Sequence, residues 1–133
     1  MRYQDWPQRL HKRIMAVHAT PFEWGKHDCC LFASDTVLEL TGTDHAADLR
    51  GTYSSALEAA KVLKERGGVR GIAGAALGAE IPATLAQRGD IVLIQTEDHG
   101  DTLAVCIGMQ CVAPGLDKLL YLPMTAAVTA WRV

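Results

Sequence analysis

Neither sign of charge is in surplus: 13 Lys and Arg stand against 15 Asp and Glu in 133 residues, a formal net charge of −2. A protein that grips phosphates needs a basic face, so nucleic acid is not an expected partner. Aromatic residues are scarce, at 6%. No apolar run approaches the roughly 18 residues of a membrane-spanning helix, so no span is expected. The start also lacks the apolar stretch of a secretory signal, because Arg9, His11, Lys12 and Arg13 interrupt it. The chain is therefore expected to be cytoplasmic at synthesis. Cysteine is limited to Cys29, Cys30, Cys106 and Cys111. In that compartment they are expected as thiols.

What is present suffices for a core. Hydrophobic residues make up 49% of the chain, and the length suits one domain over residues 1–133. No repeat, linker or low-complexity run divides it. The first part carries helix-period patterns. Trp6, Leu10, Ile14 and Val17 form an apolar stripe over Asp5–His18, with Asp5 as cap and Pro7 in the first turn. A second helix begins at Asp28, lines up Cys29, Phe32, Ala33, Thr36, Val37 and Leu40, and stops at Gly42. A third has Ser55 and Glu58 in capping-box spacing and ends at Gly67–Gly68. A short helix is expected over Ile72–Leu77, weakened by its glycines. From Gly89–Asp90 the pattern turns to strands: Ile91–Gln95, Leu103–Ile107, Gln110–Ala113, Lys118–Leu122 and Ala130–Val133. Helices followed by an antiparallel meander predict an α+β domain, N-terminal helices packed on a C-terminal antiparallel sheet or half-barrel.

The sharpest local feature is Trp24-Gly25-Lys26-His27-Asp28-Cys29-Cys30. It places Cys29 in the first turn of a helix, where unpaired N–H groups and the helix dipole favour a thiolate. Such a thiol is a candidate nucleophile. The plainer reading is a core cysteine on the apolar stripe. Cys30 points about 100° away and has the weaker claim. Two loop histidines, His27 and His99, are candidate bases; solvated loop side chains are the alternative. Asp28 reads as a helix cap before anything catalytic. Trp24 and Tyr53 are candidate substrate contacts, or packing residues. A zinc site is set aside because Cys106-x₄-Cys111 lacks knuckle spacing, and neither metal nor cofactor is expected. Cys106 and Cys111 read as strand filler.

Asp28-Cys29-Cys30-Leu31-Phe32 resembles the Asp-Cys-x-x-Phe helix start of the NlpC-type cell-wall peptidases, a circularly permuted branch of the papain-like cysteine peptidases. Gly89-Asp90-Ile91-Val92-Leu93 resembles their Gly-Asp strand, and Leu103-Ala104-Val105-Cys106-Ile107-Gly108 the strand that follows. With Pro21–Gly25, Gly51-Thr52-Tyr53 and the terminal Ala130-Trp131-Arg132-Val133, the whole chain looks like small members encoded in prophage and gene-transfer-agent-like tail clusters. The resemblance implies a papain-like fold and a place at a phage tail tip. Its partners would be other tail-tip proteins or a peptidoglycan peptide, and the near-zero charge fits either. The chain would be cytoplasmic at synthesis and then part of the virion tail.

The departures from the pattern matter as much. The position of the family's base histidine falls on Thr102, and that of the group orienting it falls near Ala113. Threonine cannot accept a thiol proton as imidazole does. Thr102, Ala104 and Cys106 are expected on the strand face toward the cysteine helix. The expectation is a degenerate peptidase site with a structural or assembly role. The alternative is an active peptidoglycan endopeptidase or amidase, with Cys29 as nucleophile and His99 or His27 as base.

Overall fold

The computed structural model describes residues 1–133 throughout. Four helices, α1 (Trp6–Val17), α2 (Cys29–Thr41), α3 (Ala56–Glu65) and α4 (Gly68–Leu77), precede five strands. The strands are β1 (Ile91–Thr96), β2 (Gly100–Cys106), β3 (Gln110–Pro114), β4 (Leu119–Pro123) and β5 (Thr129–Trp131). The fold is α+β, as the patterning indicates.

Local chemistry sets most of the helix ends. Asp28 caps α2 by accepting the Leu31 N–H at 3.0 Å, and Gly42 closes it in the left-handed conformation. Ser55 caps α3 by accepting the Glu58 N–H at 3.2 Å, while the Glu58 carboxylate takes the Ser54 N–H. Asp5 behaves differently from expectation: its side chain makes no cap bond and pairs with Arg9 at 2.8 Å. Helix α4 is longer than its pattern suggests, starting at Gly68 rather than near Ile72. Gly67 and Gly68, both at positive φ, turn the chain from α3 straight into α4. Gly71 is required too, because a Cβ there would collide with the Arg66 carbonyl.

The sheet is antiparallel throughout, in the order β4-β3-β2-β1-β5. Both its faces are buried. On one, Leu93, Leu103, Val105 and Trp131 pack with Leu10, Phe32 and Val37 of the helices. On the other, Val92, Ile94, Ala104, Cys106, Cys111 and Ala113 form a second cluster. That cluster is covered by Ile81, Ala86 and Met124 from the irregular segments. Burying each of the fully buried Val, Leu and Ile side chains among them contributes about 1.5–3 kcal/mol.

This layering corrects the expected orientation of β2. Leu103 and Val105 face the helices; Ala104 and Cys106 face away from them. Ala113 lies on that far face too. Leu103 and Val105 pair with Leu93 and Ile91 and share with them the face that packs on the helices, so the residues between them point the other way.

The Gly-Asp step at β1 serves the chain ends. Asp90, 1% exposed, accepts from the Arg2 guanidinium at 2.8 Å, the Val133 N–H at 3.0 Å and the Gln87 N–H at 2.9 Å. Arg2 also donates to the Val133 and Arg88 carbonyls and lies over the Trp6 ring at 4.3 Å. One buried ion pair thereby ties the first residues, the last residue and β1 together.

Candidate cysteine cleft

The start of α2, the 22–29 segment, Tyr53, helices α3 and α4 and the beginning of β2 enclose a small cleft. Its volume is about 50 Å³, on the order of one or two water molecules. Its walls are mainly apolar, with Phe22, Trp24, Val62, Leu63 and Ile72 among them. Cys29, Tyr53, His99, Thr102 and Trp24 all border it, so the fold gathers five of the six site residues that the sequence suggests. His27 is not among its walls.

Asp28 is the structural centre of the cleft. It is 2% exposed and fully engaged: Oδ1 accepts from the Leu31 N–H, and Oδ2 accepts from the Gly25 N–H at 2.9 Å and the Tyr53 hydroxyl at 2.7 Å. The carboxylate therefore caps the helix, fixes the turn before it and anchors Tyr53 across the cleft. Burial, with help from the Asp28 carboxylate, holds the Tyr53 phenol far above its usual pKa. Tyr53 is a fixed hydrogen-bond donor at any working pH. Gly25 admits no side chain here, since its φ is +82° and a Cβ would strike the Tyr53 carbonyl.

Cys29 and Cys30 exchange the roles suggested by the apolar stripe. Cys30 is 4% exposed and belongs to the main core, whereas Cys29 is only partly buried and meets the cleft. Helix α2 is covered on more than one side, with Leu31 and Phe32 both buried, so a single stripe does not describe it. The neighbouring Cys30 thiol is the main cause that brings the Cys29 thiol below its usual pKa. Burial opposes this, the Leu103 and Cys30 backbone amides favour it, and the Asp28 charge works against it. Cys30 itself is pushed well up by the neighbouring Cys29 thiol and by burial. Both cysteines border the cleft, and Cys29 is the more exposed of the two.

The histidines occupy different surroundings. His99, at the exposed tip between β1 and β2, stacks on Phe22 with ring centroids 5.1 Å apart and meets Trp24 edge-on at 5.8 Å. Its ring makes no hydrogen bond to Cys29. His27 is buried at 6% exposure rather than solvated, edge-on to Phe32, and its Nε2 has no partner. Burial, then the charge of Arg13, lowers its pKa against the pull of Asp28 and Asp35. Thr102 borders the cleft, but its hydroxyl donates to the Gly100 carbonyl at 3.2 Å and lies 3.5 Å from the Thr96 hydroxyl.

Sequence reasoning missed Phe22, the Asp28–Tyr53 bond and the carboxylate of Asp101, which also borders the cleft. Phe22 had a signal in its Phe-x-Trp spacing. The long-range bond from residue 28 to residue 53 had none. Chemically, the arrangement offers a thiolate-prone sulfur, a neutral phenol and apolar walls. It holds no imidazole bonded to the sulfur.

A family model described as "Domain of unknown function (DUF6950)" matches residues 1–133. No curated protein matches the chain. Among solved structures, the crystal structure of the NlpC/p60 domain of the peptidoglycan hydrolase SagA is similar with a TM-score of 0.57 and 17% identity. That likeness covers 96% of this chain and 98% of that one. At such identity it speaks to the fold alone. The chain belongs to the DUF6950 family and has the NlpC/p60 papain-like fold.

Proposed function

We propose that this protein is an NlpC-like component of a phage or prophage tail tip whose cysteine-peptidase site has degenerated into a binding or assembly site. Its partner is a neighbouring tail-tip protein or a peptidoglycan peptide. It is made in the cytoplasm and carried in the virion tail. The single observation that supports loss of activity is the setting of Cys29. Cys29 borders a narrow apolar cleft with no imidazole hydrogen-bonded to its sulfur, and the one histidine at the rim stacks on Phe22 and meets Trp24 edge-on. Without an imidazole to take and return the proton, acyl transfer loses its general base and acid. The resemblance of the chain to tail-cluster proteins supports the tail placement.

A second reading has one observation in its favour. The Cys29 thiol has its pKa brought below the usual value and shares its cleft with His99. If the β1–β2 tip moved, His99 could serve a hydrolase that cleaves peptidoglycan stem peptides. Purified protein incubated with stem peptides and followed by mass spectrometry separates the two. The binding reading expects intact peptides. Cleavage that disappears in Cys29→Ala and His99→Ala overturns it.

A further inference from the structure

The second cysteine pair lies outside the cleft and has no part in the proposed function. Cys106 of β2 and Cys111 of β3 are direct cross-strand partners. The backbone of Cys106 is turned to its other neighbour: its N–H donates to the Asp90 carbonyl at 2.8 Å, and its C=O accepts the Gly89 N–H at 2.7 Å. The next pair along is closed by the Ile107 N–H donating to the Gln110 carbonyl at 2.9 Å. Cys106 and Cys111 therefore form a non-hydrogen-bonded pair, the class with the closest side chains and Cα atoms about 4.5 Å apart. That separation falls at the short end of the roughly 4.4–6.8 Å a disulfide spans. Both side chains lie on the far face of the sheet, in one apolar cluster, and both are free thiols. Cys29 and Cys30, being adjacent on a helix, have no such geometry.

We propose that Cys106 and Cys111 are an oxidation site, closing as a cross-strand disulfide when the protein meets a low-molecular-weight disulfide such as oxidised glutathione. One cysteine thiolate attacks a sulfur of the glutathione disulfide, forming a mixed disulfide and releasing one glutathione thiolate. The second cysteine, once deprotonated, displaces the other glutathione. Two protein thiols are oxidised, one glutathione disulfide is reduced to two thiols, and the chain loses two hydrogens. Burial raises the pKa of both thiols, that of Cys111 to about 11. Closure is therefore slow and passes through opening of the hairpin at its exposed Met109 turn. The bond stays open in a reducing compartment and closes in an oxidising one.

Met109 lies between the two cysteines, which makes the test direct. The full chain is equilibrated in glutathione redox buffers, alkylated, and cleaved at methionine with cyanogen bromide. The expected result is that fragments 16–109 and 110–124 stay joined without reductant and separate with it. The link is expected to persist in a Cys29→Ser/Cys30→Ser variant and to vanish in both Cys106→Ala and Cys111→Ala. Fragments that separate from the wild type in fully oxidising buffer overturn the proposal. So does a link that survives in Cys106→Ala.

Discussion

The two cysteine pairs show how placement alone divides one chemistry into two. Cys29 and Cys30 sit at the start of α2, where the neighbouring Cys30 thiol chiefly lowers the Cys29 pKa while that of Cys30 is raised. Cys106 and Cys111 sit in the middle of a sheet, where burial raises both. The first pair is supported by Asp28 and Tyr53, and the second by β1 through Asp90. Asp28 serves the first region through its carboxylate, whereas Cys106 donates to the Asp90 backbone carbonyl; the two buried carboxylates are stabilised differently. Asp28 accepts only from neutral donors close to the cleft. Asp90 accepts from the Arg2 guanidinium and from two backbone amides, and so holds the chain ends.

Removing each carboxylate separates the cleft from the tie between the chain ends. Asp90→Ala strands a largely buried guanidinium and is expected to cost about 3–5 kcal/mol in urea unfolding. Asp28→Ala removes a helix cap and leaves the Tyr53 hydroxyl buried without an acceptor, for an expected loss of about 2–3 kcal/mol. Tyr53→Phe is expected to cost about 1–2 kcal/mol, and the Asp28→Ala/Tyr53→Phe double variant less than the sum of the two. Strict additivity would mean that the Asp28–Tyr53 bond does not organise the cleft.

The buried imidazole next to the cleft predicts a pH dependence. His27 has its folded pKa below the ordinary 6.5, so the unfolded chain binds the proton more readily. Its contribution is intact above 6.5 and is lost as pH falls from there through the folded pKa. In His27→Gln the slope of stability against pH in that window should flatten, with no change above it. An unchanged slope would place the acid sensitivity elsewhere.

The smallest effect concerns β2. Thr102→Val removes a hydroxyl that serves Gly100 and Thr96, so stability is expected to fall by less than about 1 kcal/mol. The iodoacetamide reactivity of Cys29 should not change. A changed rate would mean that Thr102 acts on the sulfur after all.

Helix caps and strand runs were legible because their causes are local. Asp28, Gly42, Ser55 and Glu58 each act within a few residues of where they stand. The start of α4 was not, because Gly68 looks like a terminator and is here the first residue of the next helix. The facing of β2 was not, because alternation shows which residues share a face but not which face meets the helices; that is set by packing of Leu103 and Val105 with Leu93, Ile91 and the helix residues. In the cleft, the helix position of Cys29 was visible from spacing. The engagement of His99 with Phe22 and Trp24, and of Tyr53 with Asp28, spans 25 to 77 residues of chain and emerges only on folding.

The central claim is that Cys29 is a thiolate-prone sulfur without a catalytic imidazole. The pH dependence of its alkylation by iodoacetamide, resolved by peptide mass mapping in wild type and His99→Ala, tests this most directly. The account predicts one rise in rate, centred below the ordinary thiol value, with the same midpoint in both proteins. A low-pH plateau in the wild type that disappears in His99→Ala would reveal a thiolate–imidazolium pair and contradict it.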